Sequence, residues 1–117
     1  MKTIIAGSRD ITSLDLVRKA VKDSGFVITE VVSGKARGVD TLGEEIAKEL
    51  GVPVAEFPAD WNGLGRKAGP LRNIQMGDYA DAVVAIRLNN SRGTTHMIEY
   101  MTKLGKQVFV LDVESAT

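Results

Sequence analysis

Ala82-Val83-Val84-Ala85-Ile86, followed closely by Asn89-Asn90-Ser91-Arg92-Gly93-Thr94, is the stretch that decides the fold. Five consecutive apolar residues rich in valine and isoleucine, without polar alternation, suit a strand covered on both faces. The polar, glycine-containing loop after them leads into helical spacing over Thr94–Leu104, with Met97, Ile98, Met101 and Leu104 turned inward. This is a strand–turn–helix unit. The first N–H groups of a helix lack intrahelical partners and lie at the positive end of its dipole, so such a turn favours anions, phosphate above all. Arg72, Asn73, Asn90, Ser91, Arg92, Thr94, Thr95 and Glu99 crowd it from both sides.

The same unit recurs outward from that point. Thr3-Ile4-Ile5-Ala6 is a short apolar strand ending in Gly7-Ser8-Arg9-Asp10. Thr12 with Asp15 three residues on is a variant capping box, opening a helix with Leu14, Val17 and Val21 on one face and Gly25 as its stop. Phe26–Val32 is the second strand, and Ser33-Gly34-Lys35-Ala36-Arg37-Gly38 the loop after it. Val39, Leu42, Ile46, Ala47 and Leu50 mark an amphipathic helix ended by Gly51 and Pro53. Val52–Phe57 is the third strand. Pro58–Gly69, with Trp61, Arg66 and Lys67, is a long irregular loop, and a tryptophan within it argues for order. Pro70 opens a helix to about Tyr79, Gln107–Leu111 is the closing strand, and Asp112–Thr117 is a fraying tail.

Five strands alternating with four helices, with no repeat and no linker, predict one α/β domain over residues 1–117. The expected architecture is a Rossmann-like, doubly wound parallel sheet of order 3-2-1-4-5 with helices on both faces. Ligands of such sheets bind beyond the carboxyl ends of the strands, where strand order reverses. The loops at that edge are Gly7–Asp10, Ser33–Gly38, Pro58–Gly69 and Arg87–Thr94, all rich in Gly, Ser, Asn or Arg.

Composition narrows the chemistry. The 117 residues hold 44% hydrophobic and 26% charged side chains, ordinary for a globular domain. Fifteen basic side chains balance fifteen acidic ones, which argues against nucleic acid as a partner. With no cysteine there is no disulfide, thiolate metal site or cysteine nucleophile, and one histidine makes a dedicated metal site a poor reading. No apolar run approaches the roughly 20 residues that span a bilayer, and the first strand begins too early for a signal peptide. A cytoplasmic protein is expected. A P-loop is absent, no G-x-G-x-x-G follows the first strand, and Gly63-x-Gly65 lies within the long loop.

Strand, small residues, a cation and a helix start make Ser33–Asp40 a phosphate cradle in mechanism. Ser33-Gly34-x-Ala36-Arg37-Gly38-Val39-Asp40-Thr41 resembles the DprA-side motif of the SLOG superfamily, which unites the DNA-processing protein DprA with the cytokinin-activating LOG hydrolases. Leu71-Arg72-Asn73 with Met76, Ala80-Asp81-Ala82, and Arg92-Gly93-Thr94 with Glu99 resemble the LOG-side series, and Gly7-Ser8-Arg9 fits as well. The order of blocks is most similar to small stand-alone SLOG proteins of bacteria and phages. That resemblance implies a nucleotide or phosphorylated nucleoside derivative as ligand, a homodimer or higher homo-oligomer, and no cofactor. It assigns ligand and phosphate contacts to Gly7, Ser8, Arg9, Ser33, Gly34, Lys35, Arg37, Gly38, Asp40, Asn73, Ser91, Arg92, Gly93 and Thr94.

In LOG-like enzymes the counterparts of Arg72 and Glu99 hydrolyse the N-glycosidic bond of a nucleoside monophosphate. Arginine orients substrate oxygens while the carboxylate stabilises an oxocarbenium-like centre or activates water. This chain departs from that pattern: Asn73 replaces the lysine after the arginine, Asn90-Ser91 replace two glycines, and Lys35 replaces a DprA-side glycine. Three roles therefore stand open: nucleoside-monophosphate phosphoribohydrolase, non-catalytic sensor or sequestering protein, and DprA-like DNA binder. Among single residues, Trp61 either caps the core or stacks on a base. His96 reads as a surface or subunit-contact residue, and Glu99 stands i, i+4 from Lys103 as in an exposed ion pair. Tyr100, Met97 and Met101 spread over more than one face of the last helix, which points to that helix as a subunit interface.

Overall fold

A computed structural model describes residues 1–35 and 38–114, apart from the side chain of Trp61. The chain runs β1 (Lys2–Gly7), α1 (Leu14–Ser24), β2 (Glu30–Ser33), α2 (Val39–Leu50), β3 (Val54–Glu56), α3 (Trp61–Leu64), α4 (Ala68–Tyr79), β4 (Ala82–Leu88), α5 (Arg92–Lys103) and β5 (Gln107–Val113). All five strands are parallel, in the order β3-β2-β1-β4-β5. The Rossmann-like sheet expected from the alternation is the sheet observed.

Alternate residues of the central strands feed two cores. Ile5, Val84 and Ile86 pack with Val17 and Ala20 of α1 and Val39, Ile46 and Ala47 of α2. Ile4, Ala6, Val83 and Ala85 pack with Met76 of α4 and Met97 and Met101 of α5. Because side chains alternate across a strand, helices must cover both faces, hence the double winding.

Several boundaries differ from the sequence reading, each for a physical reason. Ser13, not Thr12, caps α1, its hydroxyl accepting from Leu16 N at 3.2 Å. Residues 26–29 do not join β2: the register begins at Lys2↔Glu30, and the residues before it are held by separate hydrogen bonds, Thr29 N donating to Met1 O at 3.0 Å. Pro58–Gly69 is not irregular throughout. Asp60 opens α3 by accepting from Gly63 N at 2.9 Å, a short 3₁₀ turn covers Gly65–Lys67, and α4 starts at Ala68. β4 and β5 run two residues further than their apolar cores, carrying Arg87 against Asp112 and Leu88 against Val113. The Arg87–Asp112 ion pair, at 2.7 Å, bridges that extension.

The face of α5 also differs. Met97 and Met101 are buried in the chain's own core, and the Tyr100 hydroxyl donates to Asp78 on α4 at 2.5 Å. Met97 and Met101 are therefore core residues and Tyr100 is half-buried, whereas Leu104, expected inward, is 40% exposed. No helix among the described residues is long and apolar enough to cross a membrane.

Candidate functional site

Strand order reverses between β1 and β4, and a cleft of about 840 Å³ opens there, at the carboxyl edge of the sheet. Its floor is the turn after β1. Gly7 cannot carry a side chain, because a Cβ there would lie 2.3 Å from Ile86 O and 2.7 Å from Val39 Cγ2. Ser8 is buried; its N–H donates to Ile86 O and its hydroxyl accepts from Leu88 N at 3.0 Å. Gly38, at φ +75°, sits so close that a Cβ would meet Ser8 O at 2.5 Å and Arg9 O at 2.6 Å. The start of α2 is thereby locked against the first loop.

On the β2 side, Lys35 N donates to Ser33 Oγ, and that hydroxyl donates to Glu44 at 2.8 Å. Ser33 is fully buried and shapes this loop without lining the cleft. Lys35 lines the cleft, but its ammonium pairs with Glu44 at 3.0 Å and Glu56 at 3.3 Å. Hydrogen bonds to those two carboxylates raise its pKa, so it stays charged while its charge is spent within the protein. Asp40, buried in the first turn of α2, is the one carboxylate among the described lining residues.

The facing wall comes from α4 and α5. Arg72 reaches across to donate from Nη1 to Gly34 O at 2.6 Å, tying α4 to the end of β2. A Cβ on Gly34 would meet that Nη1 at 2.5 Å and Asp40 Oδ2 at 2.8 Å, so glycine makes room for both charges. Arg72 Nε donates to Asn73 Oδ1 at 3.1 Å, which turns the Asn73 amide nitrogen toward Gly93 O at 3.3 Å and His96 Nδ1 at 3.2 Å. One chain of contacts thus runs from β2 through α4 to α5.

α5 opens at Ser91, which makes no side-chain cap hydrogen bond to the helix, after Asn89 and Asn90 at positive φ. Arg92 and Gly93 are exposed, Thr94 is buried, and all three line the cleft. α2 likewise begins without a side-chain cap. Two helix starts therefore converge on one cleft with Arg9, Arg72 and Arg92, against Asp40 as the single acid among the described lining residues. Ala6, Pro58, Ala59, Met76 and Met97 supply its apolar wall.

The sequence-derived residues divide on this geometry. Gly7, Ser8, Arg9, Gly34, Lys35, Asp40, Arg72, Asn73, Ser91, Arg92, Gly93 and Thr94 meet at the cleft. Gly38 packs behind the first loop. Arg37 and the Trp61 side chain lie outside the described residues. Glu99 is exposed and lines an adjoining shallow groove with Arg87 and Asn90; Arg92 and His96 border both spaces. Glu99 and Lys103 form no ion pair among the described residues; Arg87, its pKa raised first by Asp112, also feels the charge of Glu99. His96, read from sequence as a surface or contact residue, lines the cleft instead. The only local signal was its place one turn after Gly93, because its partner Asn73 is 23 residues away.

A model of the YspA, cpYpsA-related SLOG family matches residues 1–63, which contain the first two loops of the cleft. The Gene 61 protein of Mycobacterium phage D29 is similar over more of the chain, 35% identical over 116 residues, covering 89% of this chain and 90% of that protein. No solved structure matches the chain. Because that family model matches more than half of the chain, the chain belongs to the YspA, cpYpsA-related SLOG family.

Proposed function

We propose that the cleft binds a nucleotide or other phosphorylated nucleoside derivative and holds it as a sensor or sequestering protein. The observation that carries this reading is the start of α5, where Ser91 makes no side-chain cap hydrogen bond, opening on the cleft beside Arg9, Arg72 and Arg92. Free N–H groups at a helix start favour an anion, and arginine adds charge-assisted donors of matching geometry. The phosphate belongs against Ser91–Thr94 and the Gly34–Lys35 backbone, and the nucleoside against the wall of Pro58, Met76 and Met97. Met97 occupies the cleft-facing position on the second turn of α5, so that helix presents no carboxylate inside the cleft.

Calorimetry with nucleoside monophosphates and the matching nucleosides tests the anchor. The monophosphate should bind at least roughly tenfold tighter, the effect of a single charge-assisted contact. Equal affinities, or no binding by either, would sink this reading.

A second reading, N-glycosidic hydrolysis by Arg72 and Glu99, draws support from the groove that holds Glu99 and shares Arg92 and His96 with the cleft. A sugar reaching over His96 would meet that carboxylate. Incubation with nucleoside monophosphates and chromatography for free base separates the two readings. If base is released, Glu99→Gln should cut turnover roughly a hundredfold while leaving affinity within a few-fold. Full activity of that variant removes Glu99 from the chemistry.

A further inference from the structure

His96 stands on α5 one turn beyond Gly93 and immediately before Met97, between the helix start that would take phosphate and the apolar wall that would take the nucleoside. In a nucleotide the sugar joins phosphate to base, so it falls in that interval. His96 is half-buried and borders both the cleft and the adjoining groove. Its ring is held in place. Asn73 Oδ1 accepts from Arg72 Nε at 3.1 Å, and because a guanidinium can only donate, that contact fixes which way the amide points. The amide nitrogen then lies 3.3 Å from Gly93 O and 3.2 Å from His96 Nδ1. Arg72 is anchored in turn on Gly34 O. The Tyr100 ring lies alongside His96, with 6.5 Å between centroids and 27° between planes, and is itself tied to Asp78. Both ends of the Asn73 amide are thus spent within the protein, and the Nδ1 edge of His96 with them. His96 Nε2 has no hydrogen-bond partner among the described residues. The lysine that Asn73 replaces relative to LOG-like enzymes could not play this part, since an ammonium offers Arg72 no acceptor.

We propose, on the reading of the cleft as a nucleotide site, that His96 Nε2 hydrogen-bonds a ribose hydroxyl of the ligand, so that the cleft selects ribonucleotides over deoxyribonucleotides. Asn73 is the positioning residue: it acts on the ligand through the imidazole and not by direct contact. Either state of Nε2 serves, because a hydroxyl both donates and accepts. A deoxy sugar leaves the half-buried Nε2 without that partner, and the unmade hydrogen bond is the source of the selection.

Calorimetry with a ribonucleoside monophosphate and its 2′-deoxy and 3′-deoxy counterparts tests this on the unaltered chain. At least one deoxy compound should bind roughly three- to tenfold more weakly, the range of one neutral hydrogen bond. His96→Phe keeps a flat ring beside Tyr100 and removes both nitrogens, and should bind all three compounds alike. Asn73→Leu should shrink the difference between them as well, yet change nothing further in a chain that already carries His96→Phe. A merely structural role would weaken all three together and leave their ratios intact, so ratios unmoved by Asn73→Leu deny it the positioning role. Equal binding of the three by the unaltered chain overturns the proposal, and so does a discrimination that survives His96→Phe. Binding of none of them removes the nucleotide reading itself, and this proposal with it.

Discussion

Gly93 is where stability and binding separate most cleanly. It is the second residue of α5, exposed, and a Cβ added to it would meet nothing within 4 Å. Aspartate there replaces a poor helix former and places a negative charge at the positive end of the helix, so Gly93→Asp should stabilise the fold by about 0.5–1 kcal/mol. The same charge occupies the place proposed for phosphate, so nucleoside-monophosphate affinity should fall at least roughly tenfold. Gly93→Asn, similar in size but uncharged, should keep most of that affinity. Thermal melting and calorimetry on both variants read the two effects separately, and undiminished binding by Gly93→Asp would take this loop out of the site. Gly7 is the opposite case, since Ile86 O and Val39 leave its Cβ no space. Substitution there tests packing and says nothing of the ligand.

At the scale of elements, α4 matters most, because its first half carries Arg72 and Asn73. It has the least regular apolar face of the long helices, burying only Ala68, Met76 and Gly77. Gly77 is needed where Tyr100 of α5 crosses, as a Cβ would meet that ring at 2.6 Å. The far end of α4 is held by a residue outside it. Lys106 Nζ donates to Gly77 O at 2.7 Å, Asp78 O at 3.1 Å and Ala80 O at 2.7 Å, placing a cation on carbonyls that a helix end leaves unpaired. Lys106→Met keeps the stem and removes the charge, and should cost about 1–2 kcal/mol in denaturant unfolding. Ligand affinity should change little, because the cleft lies at the other end of the helix. A large loss of affinity with no loss of stability would contradict the capping role.

Across the whole molecule, surface ion pairs set part of the pH response. Glu49 is lowered below its ordinary pKa chiefly by its hydrogen bond to Arg18, and Asp112 chiefly by its hydrogen bond to Arg87. A carboxyl with a depressed folded-state pKa adds stability above its unfolded value, about 4, and loses it as pH falls through the lower folded value. Tyr79 and Tyr100 are shifted upward by hydrogen bonds to Glu30 and Asp78, so their contribution is present below about pH 10 and lost as pH climbs through the raised values. These four groups therefore contribute a constant amount between about pH 6 and 9. Thermal melts of Asp112→Asn and the parent chain should converge as pH falls below about 4, the parent losing what the variant already lacks. Parallel curves down to pH 2 would show that the Arg87–Asp112 pair adds no pH-linked stability.

The sequence by itself determined the layered architecture. Apolar runs such as Ile4–Ala6 and Ala82–Ile86, separated by amphipathic helices, leave a doubly wound parallel sheet as the arrangement that buries both faces of each strand. It also marked most of the cleft, because strand order sends Gly7–Arg9, Gly34–Lys35 with Asp40, and Ser91–Thr94 to one edge. Periodicity could not fix what depends on neighbours distant in sequence. The β1–β2 ladder begins only at Lys2↔Glu30, and β5 runs on to where Arg87 meets Asp112. Asn73 orients His96 across 23 residues, and Glu44 and Glu56 take up the charge of Lys35. Tertiary structure alone decided that His96 enters the cleft and that Glu99 turns to the neighbouring groove. The physical reason is that a residue's spacing gives its face on a helix, while packing decides what that face meets.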